Sequence, residues 1–225
     1  MEAEMIQGLM ALMESRANVY RVLSRCYREE MDERFATELS EGFAFESDDE
    51  GLNAALGALR AELLGVDADG LEQLAVTFDR VFFGMGPLTA RHAFPYESVY
   101  TSDKGILMQD AYAQVARTYR EHQLAKDASF TEPEDHIAVE LAFMATLADR
   151  TVAFLARGAE EAADETVRQQ RAFARGHLLN WIDRFCADLR IAATGGFYEA
   201  LAVFTLSFVE ADAGLLDEML GGAPS

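Results

Sequence analysis

Apolar residues recur at three- and four-residue steps along most of the chain, the spacing that places them on one face of an α-helix. Met5, Leu9, Leu12, Tyr20, Leu23 and Tyr27 mark a long first helix. Leu71, Leu74, Phe78 and Phe82 mark another, which stops before Gly84. Met108, Ala111, Val115 and Tyr119 form a third stripe. Ile137, Leu141, Met144, Ala148 and Leu155 form a fourth, and Phe143, Leu147 and Phe154 give it a second apolar face, so this helix is expected at the centre of the fold. Leu178, Trp181, Phe185 and Leu189 follow Gly176, and Phe197, Leu201, Phe204, Phe208 and Leu215 complete the set. No run of alternating β-branched residues competes with this pattern, which predicts an all-α helical bundle.

Two segments break the periodicity. Residues 84–102 contain Gly84, Gly86, Pro87 and Pro95 and read as a long ordered loop, a feature often tied to function in compact domains. Residues 126–133 read as a hinge. The expectation is one helical domain over 1–225, divisible into N-terminal helices (1–125) and C-terminal helices (134–225). Such a hinge also permits exchange of the C-terminal helices, so the chain is expected as a monomer or a domain-swapped dimer.

Composition narrows the partners. The 225 residues include 39 acidic and 19 basic ones, a net charge of −20. That field repels phosphate backbones and argues against nucleic acid, while a cationic peptide would be attracted. The same acidity also serves plain solubility. The N-terminus shows no basic stretch followed by an apolar run, and no segment is apolar enough to cross a bilayer, so no stable membrane insertion is expected. Cys26 and Cys186 form no CxxC pair, consistent with a reducing, cytoplasmic setting.

Enzyme and metal signatures are missing. None of His92, His122, His136 and His177 has Glu three residues before it, as a ferritin-like iron site would need. No phosphate loop, dinucleotide fingerprint or nucleophile elbow is present. The expectation is a binding protein without metal or catalytic residues.

Three constellations remain. In Thr131-Glu132-Pro133-Glu134-Asp135-His136, Thr131 and Glu134 match a capping box and Pro133 suits a first helical turn. His136 and Glu140 lie four apart on one helical face. A helix cap accounts for this segment. So does an acidic site, since Glu132, Glu134, Asp135 and Glu140 exceed what a cap requires and carboxylates receive guanidinium bidentately. Phe94-Pro95-Tyr96-Glu97-Ser98-Val99-Tyr100 reads either as a loop pinned to the core by its rings or as the aromatic wall of a partner groove. His177 and Trp181 read as a local cap and a core residue.

Phe82-Phe83-Gly84, Pro95 to Tyr100, Tyr119, and Glu132-Pro133-Glu134-Asp135-His136 with Ile137, Glu140 and Leu141 resemble, in order and spacing, the TorD/DmsD family of redox enzyme maturation chaperones. The resemblance covers roughly residues 71–147. It implies an all-helical cytoplasmic chaperone for the catalytic subunit of a molybdenum-containing oxidoreductase. Such a chaperone binds the subunit, often at its twin-arginine signal peptide, until the molybdopterin cofactor is inserted, and so prevents premature export by the Tat system. The matching positions imply leader recognition by Glu132, Pro133, Asp135 and His136, extended by Glu140, with Tyr96, Glu97 and Tyr100 from the loop. No cofactor of the chaperone itself is implied by the residue pattern; contact with guanine nucleotide or molybdopterin has no supporting motif here. An acidic helical adaptor for an unrelated folded protein is the alternative.

Overall fold

The computed structural model describes residues 2–45, 47–85, 87 and 90–221. Among them there is no β-strand, and the chain is all-helical as the periodicity predicts. The α-helices are α1 (Glu2–Arg28), α2 (Glu33–Thr37), α3 (Glu50–Ala61), α4 (Ala68–Phe82), α5 (Glu97–Thr101), α6 (Asp110–Glu121), α7 (Ile137–Leu155), α8 (Glu160–Gly176), α9 (Ile182–Ala192) and α10 (Phe197–Met219). A π-helical turn (Glu38–Gly42) follows α2, and a 3-10 turn (Leu178–Asn180) precedes α9.

The two apolar faces of α7 explain its place at the centre. Ile137, Leu141, Met144 and Ala148 are buried on one face, and Phe143 and Leu147 on the next. Helix α1 packs along α7, α8 packs against it too, and α10 packs on α3, α8 and α9. One connected core joins Met13, Tyr20 and Tyr27 to Phe82, Leu141, Phe185, Phe204 and Leu216. Tyr27 sits edge-on to Phe82 and Phe185, at 5.8 and 5.5 Å, and its hydroxyl bonds the Thr205 hydroxyl at 2.8 Å. A fully buried Leu or Phe stabilises by about 1.5–3 kcal/mol, so this apolar layer, rather than helix propensity, fixes the bundle.

Acidic residues start several helices. Asp32, Asp49 and Asp67 each accept backbone N–H bonds at the N-termini of α2, α3 and α4. Part of the acidity is therefore structural.

Several boundaries differ from the sequence reading. Met5 and Leu12 belong to the α1 stripe by spacing, yet are 69% and 37% exposed; Leu12 borders an open cleft whose walls include Leu52 of α3 and Leu215 of α10. Met108 lies before α6 with a left-handed φ of 57° and is exposed. The loop 84–102 contains the short helix α5; its Gly86, Leu88 and Thr89 lie outside the described residues. The expected capping box is also corrected. α7 begins at Ile137, not beside Thr131, and His136 is its N-cap. The chain turns at Pro133, whose carbonyl accepts the His136 N–H at 3.1 Å, and His136 is then extended to pair with Tyr96. Helices α3 and α8 carry no stripe that the sequence reading singled out. Among the described residues no helix is long and apolar enough to cross a membrane.

Candidate functional site

The loop motif and the Glu-Pro-Glu-Asp-His segment, almost forty residues apart in sequence, are joined by a single antiparallel bridge between Tyr96 and His136. The Ile137 N–H donates to the Pro95 carbonyl at 2.9 Å and the Glu97 N–H to the Asp135 carbonyl at 3.0 Å. This bridge aligns the starts of α5 and α7.

Each start is capped by an unusual group. At α7 the cap is an imidazole: His136 Nδ1 accepts the Ala138 N–H at 3.1 Å. A ring nitrogen can accept only when unprotonated. Burial, and then the charge of Lys126, hold His136 down at about 3, which keeps that acceptor available. Its ring is flanked edge-on by Tyr96 and Phe130, both at 5.1 Å. At α5 the N-cap Tyr96 has no side-chain acceptor to offer, and Asp135 supplies one from across the bridge, accepting the Ser98 N–H at 2.9 Å. Burial pushes Asp135 upward and hydrogen bonding from Ser98 opposes it.

Behind α5 the carboxyl groups converge. Glu97 Oε2 lies 2.9 Å from His177 Nδ1. Glu140 Oε2 accepts the Trp181 indole N–H at 3.2 Å. The Glu97 and Glu140 carboxyls are within hydrogen-bonding reach of each other, and burial, Glu97 and Asp135 together raise Glu140 well above the usual carboxylate range. Burial and these neighbouring carboxyls favour the protonated form of Glu140. Tyr100 stacks on Trp181 at 5.5 Å, and its carbonyl accepts from Arg184.

Glu97, Asp135 and Glu140 face the interior and are 2%, 0% and 0% exposed. Tyr96, Pro133 and His136 are buried too, while Tyr100 and Glu132 are half-buried. His136 and Glu140, four apart in sequence, do not pair with each other: His136 caps the helix and Glu140 turns to Glu97 and Trp181. Glu132 accepts the Tyr96 hydroxyl, and its carbonyl accepts Lys126. His177, Trp181 and Ser98 complete the site, although the sequence reading gave the first two only local roles. No short-range pattern links His177 to a carboxylate eighty residues away.

Beside the site, the segment 124–130 crosses the bundle as a strap. Beneath it lies an apolar cavity of about 180 Å³, lined by Tyr119, Phe130, Val139 and Phe143. On its other flank an open cleft of about 490 Å³ is bordered by Tyr112, Tyr119, Phe130 and Glu134. Leu124, Ala125, Lys126 and Phe130 line both. Among the described residues no group of three or more His, Cys, Asp or Glu side chains could hold a metal ion.

The family model of the nitrate reductase delta subunit matches residues 45–187, a span that encloses every residue of this site. The chain is also similar along nearly its whole length to proteins named chaperone protein TorD. That of Shewanella piezotolerans is 32% identical over 212 residues, covering 88% of this chain and 91% of its own. That of Shewanella pealeana is 30% identical over 218 residues, covering 91% of each. That of Vibrio cholerae serotype O1 is 30% identical over 224 residues, covering 96% and 98%. The chain belongs to the TorD family. Its family is one of chaperones, not of enzymes. In this TorD-family chain the two motifs that suggested the family are the two sides of one bridge.

Proposed function

We propose that this chain is a cytoplasmic chaperone that binds the twin-arginine leader, the apo catalytic subunit, or both, of a molybdenum-containing oxidoreductase. It assists cofactor insertion and holds the client back from the Tat system until then. The observation that carries the reading is the bridge that unites an aromatic segment and an acidic segment. A twin-arginine leader offers a basic pair followed by an apolar stretch. The acidic groups Glu132 and Glu134 and the carboxyls behind them suit the first part. The apolar cavity and cleft along the strap suit the second. A net charge of −20 steers such a peptide inward.

Six of the eight nominated residues are buried, so their part in recognition requires the strap or the α5 segment to shift as the leader enters. Tyr100 and Glu132 are the first contacts the leader meets, and Asp135, His136 and Glu140 set the shape it fits.

The test is affinity purification of the tagged chain from its native cytoplasm, followed by mass spectrometry. Recovery of a molybdoenzyme catalytic subunit with its leader attached is the expected result and names the client. Recovery of only unrelated folded proteins, from cells that express such enzymes, overturns the reading in favour of an adaptor.

A further inference from the structure

Three carboxyl groups from different segments meet behind α5: Glu97, Asp135 and Glu140. Their supply of donors falls short. Asp135 Oδ2 takes the Ser98 N–H, Glu140 Oε2 takes the Trp181 indole, and Glu97 Oε2 faces His177 Nδ1. Asp135 Oδ1 and Glu140 Oε1 are buried without a hydrogen-bond partner, as are the hydroxyls of Ser98 and Ser102. A buried polar atom left unpaired is costly and calls for a reason.

The Ser98 hydroxyl lies beside Asp135, but Tyr119 and His136 supply no donor to Glu140. Tyr119, from α6, is fully buried and held neutral by burial and by these same carboxyls. His136 is neutral and already uses Nδ1 as an acceptor. Among the described residues no Lys or Arg forms an ion pair with Glu97, Asp135 or Glu140. With no such cation beside the cluster, burial favours a proton on Glu140. His177, with its side chain 13% exposed, is the edge at which the cluster approaches solvent.

We propose that this proton is a placeholder for a leader arginine, and that capture of the arginine is coupled to release of the proton. The inference rests on the leader-binding reading above. The guanidinium enters at the His177 edge and bonds the Glu97 and Glu140 carboxylates, and the Glu140 proton passes to solvent. One positive charge goes in and one proton comes out, so the buried charge stays balanced. Guanidinium suits the exchange better than ammonium. Its planar fork meets two carboxylates at once and is more weakly hydrated, so it loses less on leaving water. Affinity then rises with pH, by at most about tenfold per pH unit for one proton.

The experiment is calorimetric titration of the full chain with a synthetic Arg-Arg leader peptide, in phosphate and in Tris buffer at the same neutral pH. The expected result is saturable binding whose heat differs between buffers by the ionisation heat of close to one proton. That difference vanishes in Glu140→Gln, whose amide has no proton to exchange. Should that variant not fold, Glu97→Gln is expected to abolish the release in the same way. Saturable binding with equal heats in both buffers overturns the inference and leaves the leader reading standing. No saturable binding by the folded chain overturns the leader reading, and the inference falls with it.

Discussion

The indole N–H of Trp181 donates to Glu140 Oε2 at 3.2 Å, tying the residue ahead of α9 to the first turn of α7. Trp181 is fully buried and stacked against Tyr100, so its ring fills the core while its one polar atom serves the carboxyl cluster. Trp181→Phe retains much of the ring and deletes the donor. The orphaned acceptor is expected to cost about 1–3 kcal/mol. For a chain of this size each kcal/mol lowers the melting temperature by about 2–4 °C. A thermal melt followed by circular dichroism checks this. An unchanged melt would show that the indole contributes packing alone.

His136 and Glu140 place opposite slopes on stability against pH. Burial, and then Lys126, hold folded His136 at about 3, against 6.5 ordinarily. Between those values the unfolded chain binds a proton that the folded chain refuses, so stability falls as pH drops through the window. The slope is at most about 1.4 kcal/mol per pH unit. Glu140 works the other way. Its folded value is raised from 4.5, by burial first and then by Glu97 and Asp135. Its stabilisation is complete below about 4.5 and declines as pH rises above it. Urea unfolding across a pH series should therefore give a flatter acidic limb in His136→Asn, which keeps a capping acceptor, and a flatter alkaline limb in Glu140→Gln. Parallel curves for variant and parent would contradict both assignments.

The helices with continuous apolar stripes were legible in the sequence because burial and a 3.6-residue period coincide there, most clearly in α7. Helix α8 was not, since its buried side is built from Ala163, Thr166, Gln170 and Ala174 as well as Val167 and Phe173. Small and polar residues bury without marking a stripe. Helix α3 went unmarked although Leu52, Leu56 and Leu59 follow the period after the Asp49 cap. The two motif segments were visible, but their meeting was not. A bridge between Tyr96 and His136 is a tertiary event that no local window contains. It also explains why Thr131 and Glu134 mislead: the bridge holds His136 extended and delays the helix to Ile137.

Far from the site, Arg16 is 2% exposed and bonds Asp212 twice, at 2.5 and 2.9 Å, and Gln170 Oε1 at 2.7 Å. Tyr20 donates to the same Asp212 at 2.6 Å, and Gln170 passes the chain on to Thr151. The network links α1, α7, α8 and α10. Removing one partner leaves a buried charge uncompensated, and Asp212→Asn is expected to cost about 3–5 kcal/mol. Replacing both charges, with Arg16→Met and Asp212→Leu, should recover most of that loss. A double-mutant cycle in urea measures the coupling. Strictly additive losses would show that the two charges act independently.

The strap over the apolar cavity is held from α1. Arg28 donates to Asp127 Oδ2 at 2.7 Å and lies over the Phe130 ring at 5.1 Å. Phe130 in turn rests against His136. Asp127 is lowered to about 2, first by the Ser129 N–H within its own turn and then by Arg28. Losing Arg28 should therefore loosen the strap from α1 without dissolving the turn. In Arg28→Ala, hydrogen exchange is expected to accelerate at residues 124–132, while α1 and α7 keep their protection and the melting temperature scarcely moves. Exposed ion pairs contribute little to global stability, so the effect should stay local. If the strap gates the cavity, the same variant should also bind a leader peptide with a faster association rate. Acceleration spread evenly over α1 and α7 would instead show that Arg28 secures the bundle, and the strap would then have no motion of its own with which to admit a leader.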